Sequence, residues 1–500
     1  MTEVGFSALI PIIVALVLSL GTRNVILGLF SGVFTGVIMI NGLQPFAAMG
    51  IMVKSHLIPQ LTDSYNAGVL ILLAFIGGFV ALIEQSGGGA AFAKRINQWV
   101  KSPIQAQMAA WFGGIAIFFS DLGTPLIVGP VFRPLMDRLK VSRQKLAFII
   151  DSTASPVAIL VPFIGWGVYI MSLIYQEYKA LGIEESEFWV FIHTIPFQFY
   201  AWLAVTMVPL LAAFKFDFAA MARVEQSTAA PADTEINKKE AFSHPNARPV
   251  LVWGPLLVMA VVLGIMLVPL GFPFAQVSGT DFRAGLSTAY FFAAAVLVLL
   301  MSAYGVRNFL SSVDIYLKGI SSMMLVAITL LLAWALSDIG RELGAADYIA
   351  SVAQASISAW TFPMLAFVLS AIISFATGSS WGTFAIMLPL AIPTAYALDA
   401  PMYVCIGAVL SGGLFGDHSS PISETTILSS TGAGCPQIEH FRTQLPYALF
   451  NGSIALCAFG LAGFTGSAST IFVALAAQIV GLLLIRKFTT GKAQATIAAR

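Results

Sequence analysis

Charged residues are scarce in this sequence. Asp, Glu, Lys and Arg make up 10% of its 500 residues and hydrophobic residues make up 58%, whereas a soluble domain carries about 25% charged residues. A single soluble core cannot bury so much apolar surface, so the composition predicts a protein that lies in a lipid bilayer. The formal net charge of +1 provides no overall field that would favour nucleic acid as a partner.

Cysteines are also rare. Cys405, Cys435 and Cys457 lack the spacing of metal ligands and lie in or beside apolar segments, so we predict neither a disulfide framework nor a zinc site. The sequence contains no His-Glu-x-x-His motif, which argues against a metal-dependent hydrolase. We therefore expect no enzyme activity and no bound cofactor.

Apolar runs near the ~20 residues that cross a bilayer predict the spans. They lie at about 6–21, 24–42, 68–85 and 188–214 in the first half, and at about 249–269, 285–304, 319–336, 445–464 and 470–486 in the second. Two longer stretches, 104–136 and 362–398, are interrupted by polar residues. The arms of the first hold ~16 residues each, or ~24 Å, which is short of the ~30 Å hydrocarbon core. We predict that both stretches are re-entrant hairpins.

Four polar breaks interrupt the apolar sequence in two corresponding pairs. They lie at 120–125 and 151–156 in the first half and at 377–383 and 416–421 in the second. The second break of each pair falls in a unit that we predict as a broken span, 146–178 or 401–430. Polar backbone at membrane depth is tolerated only where protein or water satisfies it. Two such pairs predict a binding site between two repeats, which is typical of a secondary transporter, whereas a channel would call for a symmetric filter or a ring of charges.

Basic residues flank the first hairpin on both sides, beginning with Lys94, Arg95 and Lys101 before it. By the positive-inside rule both of its ends face the cytoplasm. Counting crossings from an external N-terminus then places the ends of the second hairpin outside and the C-terminus in the cytoplasm. The predicted organisation is a repeat at 1–214, a cytoplasmic linker at 215–248, a repeat of opposite topology at 249–487 with an extra C-terminal span, and a cytoplasmic tail at 488–500.

The predicted fold class is an all-α polytopic membrane protein with two inverted repeats. Each repeat contains a re-entrant hairpin and a broken transmembrane helix. We expect about 11 spans in addition to the two hairpins.

Ionisable residues inside the apolar segments define the candidate site. Asp121, Asp151, Asp417, His418 and Glu424 lie there, with no lysine or arginine comparably placed. A carboxylate in a membrane must be protonated, hydrogen-bonded or paired with a cation, so the site suits a proton or a cation. Hydroxyls at the breaks would add hard oxygen ligands suited to sodium: Thr124, Ser152, Ser155, Ser379, Ser380, Thr383, Ser420 and Ser423. The sodium ligands that we expect are Asp151, Ser155, Ser379, Asp417 and Ser420.

We hypothesise that Asp151 and Asp417 contribute to one central site at which a proton and sodium compete. The other histidines lie near segment ends or in loops and are not selected as site residues: His56, His193, His244 and His440.

The motifs around these residues are long enough to compare with known families. The run from Gly416 to Ala433, the segment 443–448, the break at 377–383 and the sequence Asp151-Ser152-Thr153-Ala154-Ser155-Pro156 closely resemble the signature of the NhaC-type sodium/proton antiporter family. The resemblance implies two inverted repeats and a mobile transport domain that moves against a scaffold. Glu424 departs from it, because the family more often has aspartate at that position.

The resemblance leaves the substrate open, because such proteins include sodium/proton antiporters, a malate/lactate exchanger and amino-acid carriers. We expect sodium/proton antiport in a bacterial inner membrane, with Na⁺ as the coupling ion and the lipid bilayer and H⁺ as further partners. The alternative is sodium-coupled transport of an amino acid or small organic acid. The N-termini of the half-helices could bind the carboxylate of such a substrate. A homodimer is left open.

Overall fold

All regular secondary structure is helical in the residues that this computed structural model describes, which are 5–41, 45–97, 100–227, 242–272, 277–345, 348, 352 and 357–498. In a bilayer every backbone N–H and C=O must be paired, and a helix pairs them within its own segment. The helices of the first half are α1 Ile10–Thr22, α2 Val25–Ile40, α3 Pro45–Ile51, α4 Ile58–Thr62, α5 Ser64–Glu84, α6 Gly88–Asn97, α7 Pro103–Ala116, α8 Gly123–Arg138, α9 Arg143–Asp151, α10 Ser155–Ala158, α11 Gly165–Leu181, α12 Glu187–Thr194, α13 Phe199–Phe214 and α14 Ala219–Ser227.

The second half continues in the same way. Its helices are α15 Val250–Leu267, α16 Gly279–Ala303, α17 Phe309–Ser322, α18 Met324–Glu342, α19 Phe362–Thr377, α20 Ser380–Ala397, α21 Met402–His418, α22 Glu424–Ala433, α23 Gln437–Thr465 and α24 Thr470–Ala498. Over the described ranges, six helices are long and apolar enough to cross a bilayer, or up to eight if each bent pair is one span. The all-α polytopic fold class is confirmed, and the total of about 11 spans stays a prediction.

The helices differ from the predicted spans in three places. The segment Pro45–Thr62 is helical, although no span is predicted there, because Lys54, His56 and Gln60 lower its hydropathy. The predicted span at 188–214 is divided into α12 and α13, whose axes differ by 50°. The helix α24 continues to Ala498, into the predicted tail, and the last two residues of that tail lie outside the described residues.

The four polar breaks coincide with helix ends. The helix α8 begins at Gly123, whose N–H donates to Ser120 Oγ at 2.8 Å. The helix α9 ends at Asp151, and the single turn α10 begins at Ser155 with Pro156 in its first turn, where proline is tolerated. In the second half α19 ends before Gly378, which has a φ of 67° that glycine adopts without strain. The remaining break separates α21 from α22.

Two glycines bring the halves of the chain into backbone contact. A Cβ atom on Gly129 of α8 would lie 2.3 Å from the carbonyl carbon of Gly432 in α22, and a Cβ on Gly432 would lie 2.2 Å from the carbonyl oxygen of Pro125. Small residues permit such an approach between membrane helices. The helix α8 of the first half therefore packs directly against α22 of the second.

The first part of the predicted linker packs on the helices. Asp217 pairs with Lys145 at the start of α9, and Tyr447 Oη donates to the same carboxylate at 2.5 Å. Glu225 of α14 accepts the backbone N–H of Ser142 at 2.9 Å, and burial raises the pKa of Glu225. Residues 228–241 of the linker lie outside the described residues.

Candidate transport site

Asp151 occupies the centre of the buried polar cluster. It is the last residue of α9 and none of its surface is exposed. Gln444 Nε2 donates to Asp151 Oδ2 at 2.5 Å, and Ser429 Oγ donates to Asp151 Oδ1 at 3.3 Å. His440 Nε2 lies 3.5 Å from Asp151 Oδ2. The carboxylate comes from the first half and its neighbours come from α22 and α23, so the cluster joins both halves.

His418 connects Asp151 to the broken helix α21. Its Nε2 atom lies 3.1 Å from the backbone oxygen of Asp151 and 4.0 Å from Asp151 Oδ1. Its Nδ1 atom lies 3.4 Å from the hydroxyl oxygen of Tyr200. Gln444 Nε2 also donates to the backbone oxygen of His418 at 2.9 Å. The ends of α9 and α21 are therefore held together by side chains rather than by packing alone.

Asp417 forms a second carboxylate centre, and 4% of its surface is exposed. Ser423 Oγ donates to Asp417 Oδ1 at 2.8 Å, and Thr425 Oγ1 donates to Asp417 Oδ2 at 3.1 Å. Ser423 stands at the N-cap position of α22, but its side chain makes no capping hydrogen bond. Its hydroxyl is directed to the carboxylate instead.

The two centres are adjacent because Asp417 and His418 are consecutive residues. Asp417 interacts electrostatically with both Asp151 and Asp121. Like charges repel each other strongly where water is excluded, and a bound proton or cation relieves that repulsion. The arrangement can therefore bind a proton or a hard cation between groups that come from both halves.

Comparison with known proteins establishes the family. Residues 157–464 match the family described as "Na+/H+ antiporter family", which is more than half of the chain. The chain belongs to this antiporter family. The matched region contains α21, which supplies Asp417 and His418, and nearly all of α23, which supplies Gln444.

Individual relatives agree with this assignment. An uncharacterized protein of Haemophilus influenzae is 31% identical over 96% of this chain and 95% of its own. The malate-2H⁺/Na⁺-lactate antiporter of Bacillus subtilis is 33% identical over 103 residues, which are 21% of this chain and 22% of that protein. The YdaH transporter of Alcanivorax borkumensis has a similar structure, with a TM-score of 0.57 over 85% of this chain and 90% of that chain, at 13% sequence identity.

These matches confirm the resemblance read from the sequence and the class of protein. The chain is a multi-pass membrane protein and a secondary transporter of the antiporter type, not an enzyme. The family implies that Na⁺ is a transported ion rather than a bound cofactor.

Two further acids predicted for the site of this antiporter lie at its edge. Asp121 is half-buried and Glu424 is exposed at the start of α22, and the two interact electrostatically. Ser120 Oγ donates to Glu84 Oε1 at 2.7 Å beside them. Asp121, Glu424 and Glu84 therefore lie beside the buried carboxylates Asp151 and Asp417 rather than between them.

Several predicted hydroxyls bond to nearby backbone, as hydroxyls in membrane helices commonly do. Thr124 Oγ1 donates to the Ser120 oxygen at 2.8 Å, and Thr383 Oγ1 donates to the Ser379 oxygen at 2.9 Å. Ser379 caps α20 by accepting the Gly382 N–H at 3.3 Å. The remaining two donate across helices, Ser380 to the Gly413 oxygen at 3.3 Å and Ser420 to the Phe375 oxygen at 2.7 Å.

The segment Gly378-Ser379-Ser380-Trp381-Gly382 has the letters of the Gly-x-Ser-x-Gly hydrolase motif. That motif places a serine on a turn between a strand and a helix, whereas this segment lies between two helices, α19 and α20. Its structural context is therefore not that of a hydrolase.

Other buried hydroxyls have no hydrogen-bond partner within the described part of the chain. Three of them lie close to the two acids: Ser155 and Ser419 at the breaks that follow Asp151 and Asp417, and Thr426 in the first turn of α22. Ser152, next to Asp151, is also buried. An unsatisfied buried hydroxyl is costly, and an ion that used these oxygens as ligands would remove that cost.

Two of the residues closest to Asp151, His440 and Gln444, are not among the predicted site residues. His440 lies near the start of α23, where it is fully buried, and its position near a segment end gave no reason to choose it. Gln444 lies one turn further along α23, within the stretch 443–448 that carries the family resemblance. That resemblance is the signal that could have identified Gln444.

Two basic side chains are buried as well, but they are paired away from the site. Lys145 is 1% exposed and pairs with Asp217. Arg283 is 8% exposed, and its Nη1 atom lies 3.1 Å from Glu187 Oε1. Among the residues described, neither Asp151 nor Asp417 forms an ion pair with a lysine or arginine. The basic groups beside Asp151 are two histidines, His418 and His440, which carry a charge only when protonated.

Proposed function

We propose that the protein is a sodium/proton antiporter that works by alternating access. The observation that carries the proposal is the pair of buried carboxylates, Asp151 and Asp417, with only neutral donors and histidines around them. A buried carboxylate is costly without a proton or a positive partner. Asp417 therefore favours a state in which it carries a proton or contacts a cation, and for Asp151 a protonated His418 or His440 can also serve as that partner. Binding of one would displace the other, and this competition is the basis of exchange.

The ligand set supports sodium as the cation. Ser423 and Thr425 place hydroxyl oxygens at the Asp417 carboxylate, and the unpartnered hydroxyl of Ser155 follows Asp151. Carboxylate, hydroxyl and carbonyl oxygens are hard ligands. The name of the Bacillus subtilis relative includes protons and Na⁺ together with malate and lactate, so it supports these two ions and also the alternative with an organic acid.

We further propose the orientation and organisation that follow from the charge distribution. The N-terminus lies outside a bacterial inner membrane and the C-terminus lies in the cytoplasm. The first hairpin enters from the cytoplasm and the second from outside, within repeats at 1–214 and 249–487. The basic residues on both sides of the first hairpin support this arrangement.

The experiment is a flux assay in proteoliposomes that contain the purified protein and a dye that reports internal pH. An imposed Na⁺ gradient should drive proton movement in the opposite direction without any organic solute. The assay is repeated with a panel of amino and organic acids. Proton flux that requires one of these acids would contradict antiport and would support sodium-coupled transport of that acid.

A further inference from the structure

A small pocket lies away from Asp151 and Asp417, between α1, α11, α18 and α20, and three of its lining residues are polar, Glu177, Ser337 and Arg341. Its volume is about 40 Å³. A water-sized occupant needs roughly 10–15 Å³ measured in this way, so the pocket has room for about three such species. It is too small for an amino acid or an organic acid, but it can hold a monovalent cation with water.

The pocket has a buried carboxylate in its wall. Glu177 of α11 is 2% exposed. Ser337 Oγ donates to Glu177 Oε1 at 2.5 Å. Arg341 Nη1 donates to Ser337 Oγ at 3.2 Å and lies 3.9 Å from Glu177 Oε2, so a bound cation would have to displace it from both. The Arg341 side chain is 34% exposed and also pairs with Asp338. If Glu177 and Asp338 are both ionised, their two negative charges are opposed by the single positive charge of Arg341. One further cation would make this group of side chains neutral.

The opposite wall offers backbone oxygens. The helix α20 contains Pro389 and Pro393 within its length, and both line the pocket together with Ala385. Proline has no N–H, so the carbonyl oxygen four residues earlier cannot receive its usual helical hydrogen bond. The oxygens of Ala385 and Pro389 are affected, and both residues line the pocket.

We propose that this pocket is a second binding site for a monovalent cation, with Glu177, Ser337 and the two carbonyl oxygens as its ligands. The cation would replace Arg341 as the partner of Glu177, and Arg341 would remain paired with Asp338. The assignment of this cation as transported Na⁺ rests on the proposed antiport. The pocket lies near the C-terminal ends of α11 and α18, at the face of the membrane that we predict to be external. Na⁺ would therefore occupy it on the way between the external solution and the site at Asp151 and Asp417.

The test first separates binding from transport. Equilibrium binding of radioactive Na⁺ is measured on purified protein that carries both Asp151→Asn and Asp417→Asn. Residual binding that disappears when Glu177→Gln is added supports the second site, even if the wild-type protein shows no exchange. No residual binding in a folded double variant overturns it.

The second experiment measures Na⁺-driven flux through the variant that carries Glu177→Gln alone. Glu177→Gln should raise the apparent KM for Na⁺ roughly tenfold or more at one face of the membrane only, because a charged ligand is lost. Glu184→Gln makes the same chemical change on an exposed residue of the adjoining loop and should leave the KM unchanged. Equal KM values for wild type and Glu177→Gln at both faces would overturn the site while leaving the antiport proposal intact.

Discussion

Replacement of Asp417 by asparagine tests the proposed cation site most directly. The change keeps the shape of the side chain and removes its charge. Ser423 can still donate to the remaining oxygen, and the Thr425 hydroxyl can turn to accept from the new amide, since a hydroxyl both donates and accepts. The two hydrogen bonds of 2.8 and 3.1 Å can therefore be retained, and we expect the fold to survive.

The effect on the ion should be large. Two unit charges 4 Å apart interact by about 4 kcal/mol at an effective dielectric constant of 20, and a liganded cation would be closer than that. At about 1.4 kcal/mol for each factor of ten, the variant should bind Na⁺ roughly a thousandfold more weakly. Sodium-driven proton flux at millimolar Na⁺ should then be abolished.

The assay is the proteoliposome flux measurement, with equal amounts of folded protein verified by size-exclusion chromatography and thermal melting. Asp399→Asn is the matched control, because Asp399 lies on an exposed turn with a φ of 54°, a conformation that asparagine tolerates. The control should retain wild-type flux. Wild-type flux in Asp417→Asn would remove Asp417 from the transport site and refute the reasoning.

Three further predictions follow from the fold and the site. Gly129→Ala should lower the melting temperature, because the new methyl group would overlap Gly432 and overpacking costs roughly 1–3 kcal/mol. The control Gly50→Ala should leave the melting temperature unchanged, because no atom lies within 4 Å of a Cβ at that position. Apparent Na⁺ affinity should weaken as the pH falls, because protons compete for the two buried carboxylates; an affinity that is constant between pH 5 and 9 would argue against antiport. In a variant without the three native cysteines, single cysteines near positions 102 and 140 should be labelled from the same side of the membrane, and labelling from opposite sides would contradict the first re-entrant hairpin.

The positions of the helix ends were largely predictable from the sequence. Polar and proline residues mark them locally, as at Asp151 and His418, where α9 and α21 end. The same local information also selects the acids, because few charged residues occur in apolar segments and each stands out.

The partners of these acids were less predictable, because they come from distant parts of the chain. His440 and Gln444 reach Asp151 across almost three hundred residues, as the bond between Gln444 and Asp151 shows. Hydroxyls were the least predictable group. Whether a serine or threonine faces a carboxylate, as Ser423 does, or its own backbone, as Thr124 does, depends on side-chain direction, which the sequence pattern does not specify.

The contact between Gly129 and Gly432 limits which parts of the protein can move. If the two sequence halves moved apart as rigid blocks about a hinge, α8 would have to separate from α22. Because the residues at their crossing are glycines, no side chain could fill the gap between the two helices. If the protein works by the proposed alternating access, we expect the moving body to contain α8 and α22 together and thus parts of both halves. Variants that impair motion should then map to loops within each half rather than to the linker between them.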